Sequence, residues 1–318
     1  MGSETPLSNL KLPVIDFSIQ SLNPGTPQWD SVRSQVRQSL EEFGCFEAVF
    51  YKIPSDVREA VFNSLQELFD LPLQTKLRNV SKKPFHGYVG QYPAVPLYES
   101  MGIEEANIHE KVVSFANILW PQGNPKFCEK MQSYSEQLVE LDQIIRRMIL
   151  ESLGVEKYLE EHIGSANYLL RVMKYKGPET TETKLGLNAH TDKNILTILS
   201  QNQVEGLEVQ TKGGEWISVN PSPGSFIVMI GDSLYVSMGK WPTTFPVSSR
   251  NDDRKRSKVL AGLFSVPKAG YIVKSPEELA DEEHPLLFKP FDHVKFLGFY
   301  YTEAGQRAES ALKTYCGV

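Results

Sequence analysis

Tyr168-Leu169-Leu170-Arg171-Val172-Met173-Lys174-Tyr175 is the stretch on which the fold turns. It is dense in apolar and aromatic residues and reads as a strand. Further short strands are expected at Ile195 to Leu199, Gly206 to Gln210, Glu215 to Val219 and Ser225 to Ile230. Lys212-Gly213-Gly214 is a hairpin signal, and Pro221-Ser222-Pro223-Gly224 is a turn. Strands recurring about every ten residues predict a β-sandwich or barrel over residues 166–266.

Upstream the period changes. Leu12 to Phe17 is a short strand candidate, and Pro24-Gly25 a turn. Val32, Val36, Leu40 and Phe43 recur at helical spacing, with Gly44 as the stop. Cys45 to Phe50 reads as a strand. Ser55 is the expected N-cap of a helix carrying Val57, Val61, Leu65 and Leu68, ended by Pro72. Residues 81–103, rich in Gly, Pro and Tyr, read as an ordered loop. A long amphipathic helix fits Pro125 to Leu153, and Gly154 ends it. Phe127, Met131, Tyr134, Leu138, Leu141, Ile145 and Met148 line its core-packing face.

Composition excludes several classes of function. The chain has 318 residues, 41% hydrophobic and 23% charged, with a net charge of −6. Its size allows a large core without disulfide staples. The acidic balance argues against nucleic-acid binding. No apolar run is long enough to span a membrane, and the polar start, Met1 to Leu12, lacks a secretory signal. The three cysteines, Cys45, Cys128 and Cys316, are far apart and odd in number, which fits neither a disulfide framework nor a Cys-based zinc site. A cytoplasmic location follows as the expectation. Repeats and low-complexity tracts are absent. So are Ser or Cys nucleophile motifs and phosphate-cradling glycine loops.

His190-Thr191-Asp192 carries the chemistry. On a strand, residues i and i+2 share a face. An imidazole beside a carboxylate makes two thirds of a 2-His-1-carboxylate set, which holds iron(II) on one side and leaves positions open for a chelating co-substrate and oxygen. The same pair also fits a plain polar strand end.

Over nearly its whole length the chain resembles the plant 2-oxoglutarate/Fe(II)-dependent dioxygenases, and within them the AOP-like branch. The resemblance is carried by Leu12-Pro13-Val14-Ile15-Asp16-Phe17, Pro84-Phe85-His86-Gly87-Tyr88, Leu97 to Ile103, Arg171-Val172-Met173-Lys174-Tyr175, His190 to Asn194, Gly231-Asp232-Ser233-Leu234 and Ala261-Gly262-Leu263-Phe264-Ser265. It implies a mixed α+β fold, with a double-stranded β-helix (jelly-roll) core behind an N-terminal helical region. The expected division is 1–120 for the N-terminal region, 121–165 for the linking helix, 166–270 for the core and 271–318 for a C-terminal segment packed on it. His190 and Asp192 would ligate iron, and Tyr175 would hydrogen-bond the 2-oxoglutarate carboxylate. Met173 stands where many relatives carry Asn. Fe(II), 2-oxoglutarate and O2 are the implied cofactor set, with ascorbate an optional addition. The implied activity is oxidation of a plant small molecule by a monomer with no nucleic-acid or membrane partner.

The chain departs from the pattern at one place. The family carries a second histidine downstream, then Arg-x-Ser on the next strand. The six histidines here are His86, His109, His162, His190, His284 and His293, and none lies between Asp192 and His284. Lys258 and Leu260 occupy the Arg and Ser positions, and a lysine offers a point charge rather than a bidentate fork. His284 lies beyond the β core and is a weak candidate ligand. Residues 237–260 are instead polar and basic, and the family text resumes abruptly at Ala261.

Back-translation accounts for the gap. With suitable codons, residues 240–250 read one base later give N-G-R-L-H-S-P-Y-H-R-V. Residues 251–260 give M-M-T-G-N-E-A-R-Y followed by the start of a Ser codon. The shifted frame recovers both the missing histidine and Arg-Tyr-Ser, so residues 237–260 read as out of frame. The alternatives are true divergence to a non-oxidative binding protein or non-redox enzyme on the same fold, and an inactive product.

Other residues have two readings. His86 is a structural hydrogen-bonding residue or borders the active-site mouth. His109 is a surface residue. Arg171 is in a structural ion pair or reaches substrate. Residues 252–256 read as a solvated charge run.

Overall fold

The structure, a computed structural model, describes residues 11–92, 95–177, 185–202, 204, 206–239, 244, 246–250, 257–280 and 285–317, with only the backbone for 185–188 and 249–250. The first part of the chain contains β1 (Val14–Asp16), α1 (Pro27–Phe43), β2 (Cys45–Val49), α2 (Ser55–Phe69), α3 (Leu73–Lys76), β3 (Tyr98–Glu104), α4 (His109–Leu119), α5 (Pro125–Ser152) and α6 (Leu159–Gly164). The strand-rich part contains β4 (Ala166–Tyr175), β5 (Leu185–His190), β6 (Leu196–Gln201), β7 (Leu207–Gln210), β8 (Trp216–Val219), β9 (Ser225–Ile230), α7 (Asp232–Met238), β10 (Val247–Arg250) and β11 (Lys258–Pro267). A two-stranded ribbon, β12 (Ile272–Val273) and β13 (Phe291–Asp292), leads into α8 (His293–Tyr300), α9 (Glu303–Arg307) and α10 (Ala311–Cys316).

Two sheets face each other. The larger has the order β1-β2-β9-β6-β11-β4-β3, and the smaller β5-β10-β7-β8. The β1–β2 pair is parallel and the other pairs are antiparallel. This is the expected jelly roll. Strand alternation assigns the two faces of the larger sheet. Leu170 and Val172 of β4 turn outward, into one core cluster with Tyr134, Leu138, Leu141 and Ile145 of α5. Met173 and Tyr175 turn inward and pack with Val209, Ile217 and Val247 of the smaller sheet.

Local chemistry sets the helix ends. Thr26 caps α1 by accepting from the Trp29 amide at 3.2 Å, Pro27 sits in the first turn, and Gly44 closes the helix at φ 65°. Asn124 caps α5 by accepting from the Phe127 amide at 3.1 Å. A buried polar network ties α5 to α6 and β4. Arg146 Nη1 lies 3.2 Å from Asp142 Oδ2, which also accepts from Tyr168 Oη at 3.1 Å. Arg146 Nε donates to His162 Nδ1 at 3.1 Å. Burial pushes the Asp142 carboxyl up, with Arg146 opposing.

Several sequence expectations need correcting. Ser55 is the first residue of α2, with Pro54 at the cap position and no side-chain cap bond; the helix ends at Phe69, before Pro72. The loop expected over 81–103 ends in strand β3, which pairs with β4. The β core is not confined to 166–266, because the larger sheet takes β1, β2 and β3 from the N-terminal region. Among the described residues, no helix is long and apolar enough to cross a membrane.

Candidate active site

His190 is the last residue of β5, and its Cα partner across the smaller sheet is Val247. Asp192 lies just past the strand end. The two residues therefore meet through a turn, not as i and i+2 on one strand. His190 Nε2 and Asp192 Oδ1 are 3.7 Å apart. Asp192 is oriented by its neighbours: Oδ2 accepts from Thr197 Oγ1 at 2.6 Å, and its carbonyl accepts from the Asp232 amide at 2.8 Å. Both side chains border a cleft of about 790 Å³ between the sheets and the C-terminal helices.

Asp232, whose amide meets the Asp192 carbonyl, is already engaged. Its Oδ2 is 2.8 Å from Lys193 Nζ, and its Oδ1 accepts from Thr244 Oγ1 at 2.9 Å. Among the described residues, no three His, Cys, Asp or Glu side chains converge as a metal-binding group. Among the described residues, His190 and Asp192 thus stand without a third donor beside them. The histidines of the shifted reading fall at the positions of Thr244 and Ser248. Thr244 lines the cleft, and buried Ser248 follows Val247 on β10. The side chain opposite His190 is the apolar Val247, which shares a recess with Asp192. His284 and residues 252–256 lie outside the described residues.

Tyr175 and Lys258 face each other across β4 and β11. The Lys258 ammonium lies 5.7 Å from the Tyr175 ring centre, and the Tyr98 ring packs on Tyr175 at 5.0 Å. Lys258 is 1% exposed. Burial lowers its pKa to about 7, with Glu208 opposing. A cation thus stands beside the tyrosine expected to hold 2-oxoglutarate, at the position where the shifted frame puts arginine. Met173 sits between Ser100 and Leu260, so the next inward position along β4 is apolar.

His86 meets both of its readings. Its Nδ1 is 3.0 Å from Glu104 Oε1, and it borders the cleft. Burial holds its pKa below the ordinary value, with Glu104 opposing. His109, exposed, opens α4 and pairs with half-buried Gln132 at 2.6 Å, away from the cleft. Arg171 lines the cleft and bonds only to hydroxyls, so the ion pair expected of it is absent among the described residues.

Sequence reasoning missed the far wall. His293, Leu297, Tyr300 and Tyr301, at and just beyond α8, close the cleft. His293 Nδ1 is 3.1 Å from Ser233 Oγ, and burial lowers its pKa to about 4. The aromatic run Phe299-Tyr300-Tyr301 after an Asp N-cap was the available signal.

Comparison with known proteins agrees with this architecture. The family model of the 2OG-Fe(II) oxygenase superfamily matches residues 162–258, and that of the N-terminal region of non-haem dioxygenases in morphine synthesis matches residues 12–96. The chain is 50% identical to the probable 2-oxoglutarate-dependent dioxygenase AOP1.2 of Arabidopsis thaliana, over 98% of this chain and 97% of that protein. It is 34% identical to the probable inactive 2-oxoglutarate-dependent dioxygenase AOP2 of Arabidopsis thaliana, over 98% of each chain. The crystal structure of the rice dioxygenase for auxin oxidation superposes with a TM-score of 0.81 at 26% identity, covering 96% of this chain and 99% of that one. Paired with the jelly roll, these matches establish that the chain belongs to the 2-oxoglutarate/Fe(II)-dependent dioxygenase family, in its plant AOP-like branch.

Proposed function

We propose that the gene encodes an oxidase of a plant small molecule that uses Fe(II), 2-oxoglutarate and O2, and that residues 237–260 are an out-of-frame reading that removes part of its site. His190 and Asp192 are two iron ligands, and Tyr175 helps to hold 2-oxoglutarate. One observation carries this reading: the 3.7 Å His190–Asp192 pair borders a large cleft, while the facing strand β10 offers Val247 and Ser248 instead of a third ligand. In that chemistry the cofactors perform the hard step, and the protein supplies ligation, orientation and a shaped pocket. The described residues of this chain do not complete the donor set, so on this reading the chain as written is a weak iron binder and a poor oxygenase.

The incomplete donor set also favours a second reading, in which the chain as written is a non-oxidative binding protein or an inactive product. An inactive protein is named among its relatives. Sequencing the transcript across codons 230–266 separates the two. N-G-R-L-H-S-P-Y-H-R-V followed downstream by R-Y-S is the expected result, and that product should release succinate from 2-oxoglutarate when given its substrate. A transcript encoding residues 237–260 as written would reduce the oxidase claim to ancestry.

A further inference from the structure

Arg171 is a half-buried cation with no counter-ion among the described residues. Its Nη2 donates to Tyr98 Oη at 2.7 Å and approaches Ser100 Oγ at 3.3 Å, while its Nε is buried with no hydrogen-bond partner. Among the described residues, no carboxylate lies within 4.0 Å of the guanidinium. The nearby acid Glu104 is engaged by Lys83 at 2.7 Å and by His86 at 3.0 Å. A buried donor left unpaired is costly, and such an exception in a native fold calls for a cause.

The surroundings of Arg171 make a receptacle. Its Cα partners on the two flanking strands are both glycines, Gly102 on β3 and Gly262 on β11. A Cβ at Gly102 would come within 2.9 Å of the His86 backbone, so this glycine lets the 84–88 loop lie against the sheet. That loop brings the Phe85 ring to 4.6 Å from the guanidinium carbon, and Phe264 lies at 5.7 Å. Arg171 is thus flanked by aromatic surface and opens on the cleft shared with His190 and Asp192.

Backbone position sets this cation apart from the co-substrate end. The Cα atoms of Arg171 and Tyr175 are four positions apart on β4, about 13 Å at the rise of a strand, and the Tyr98 side chain stands between the two, its hydroxyl on Arg171 and its ring on Tyr175. Lys258 is paired with Tyr175, not with Arg171. A small dicarboxylate anchored at Tyr175 and Lys258 does not need Arg171.

We propose that Arg171 anchors the substrate, and that the substrate is a small carboxylate with a flat apolar body. The guanidinium takes the carboxylate, and Phe85 and Phe264 cover the apolar part. Guanidinium–carboxylate bonds are charge-assisted and directional. The inference rests on reading this cleft as the substrate site, but it requires no iron.

Calorimetry on the full chain with matched probes tests it. Phenylacetate should bind at least about tenfold more tightly than phenylacetamide. Arg171→Gln should abolish that preference at unchanged circular dichroism, and Arg171→Lys should retain part of it. Saturating 2-oxoglutarate should leave phenylacetate bound. Equal binding of the two probes, no binding of phenylacetate, or a preference surviving in Arg171→Gln would overturn the proposal, as would displacement by 2-oxoglutarate. If Arg171→Gln does not fold, the wild-type preference and Arg171→Lys decide. Failure of the chain to bind Fe(II) bears on the oxidase reading alone and leaves the carboxylate preference intact.

Discussion

Strand β11 stays in register with β4 over all ten of its residues, from Lys258–Tyr175 to Pro267–Ala166. Strand β10, the preceding strand, pairs with β7 without a shift over Val247 to Ser249 but shifts register twice within four residues against β5. The difference follows from side-chain pattern. Val259, Ala261 and Leu263 of β11 meet the helix-backed core, and Leu260 meets the inner one, so both faces specify the pairing. Val247-Ser248-Ser249-Arg250 offers one apolar anchor, and a strand without a clear buried face specifies its register weakly. The irregular strand lies within the segment read as out of frame and beside the His190–Asp192 pair. Under the proposed reading, one interrupted text would account for both the irregular pairing and the absence of a third donor among the described residues.

The strongest way to break this comparison is to replace residues 240–260 with the shifted reading. A partner that only supports a metal ligand is worth about 10–100-fold in affinity. A restored ligand should tighten Fe(II) binding by more than that, measured by competition with a chelator. Unchanged affinity would mean that β10 is native as written.

Next in size is the helix-backed side. Arg146→Ala leaves buried Asp142 without its cation and should cost about 3–5 kcal/mol in urea unfolding. Ile145→Ala, at a fully buried α5 position, should cost about 2–5 kcal/mol. Val247→Ala should cost less, because its side chain already borders a recess in the irregular sheet. An equal loss at Val247 would show that β10 is as tightly determined as the rest of the core.

A further expectation is acid sensitivity. Burial holds His293 at about 4, below the ordinary histidine value of about 6.5. Between those values the unfolded chain binds more protons than the folded one, so stability is full above about 6.5 and falls as the pH drops toward 4. The contribution at stake is about 3 kcal/mol. Buried His162 acts in the same direction. Thermal melts from pH 7 to 4 should show the decline, and His293→Gln should flatten part of it. A flat profile would mean that His293 is solvated and that α8 does not seal the cleft.

Much of the architecture was legible locally. Helical spacing located α1 and α5, and Gly44 stopped α1 where a left-handed residue was needed. Alternation and turn chemistry found β4 and β6 to β9. Strand β3 was hidden because Tyr98 to Glu104 follows a Gly/Pro/Tyr-rich stretch, and its pairing with β4 is made across a long separation. Strand β10 carries too little apolar pattern to be read as a strand. Beside the cleft, His190 and Asp192 were singled out from residue type and spacing and Tyr175 from the resemblance, whereas His293 was overlooked because it lies far beyond the β core in sequence.

By itself the sequence determined a strand-rich core behind a helical region, from periodicity, and the His-x-Asp pair, from residue identity, since both are local properties; the jelly-roll class followed from the family resemblance. Tertiary structure alone decided that Val247 stands opposite His190, that Arg171 has glycines on both sides and no carboxylate among the described residues, and that α8 walls the cleft. These are consequences of register and packing between distant segments, and no single stretch of chain encodes them.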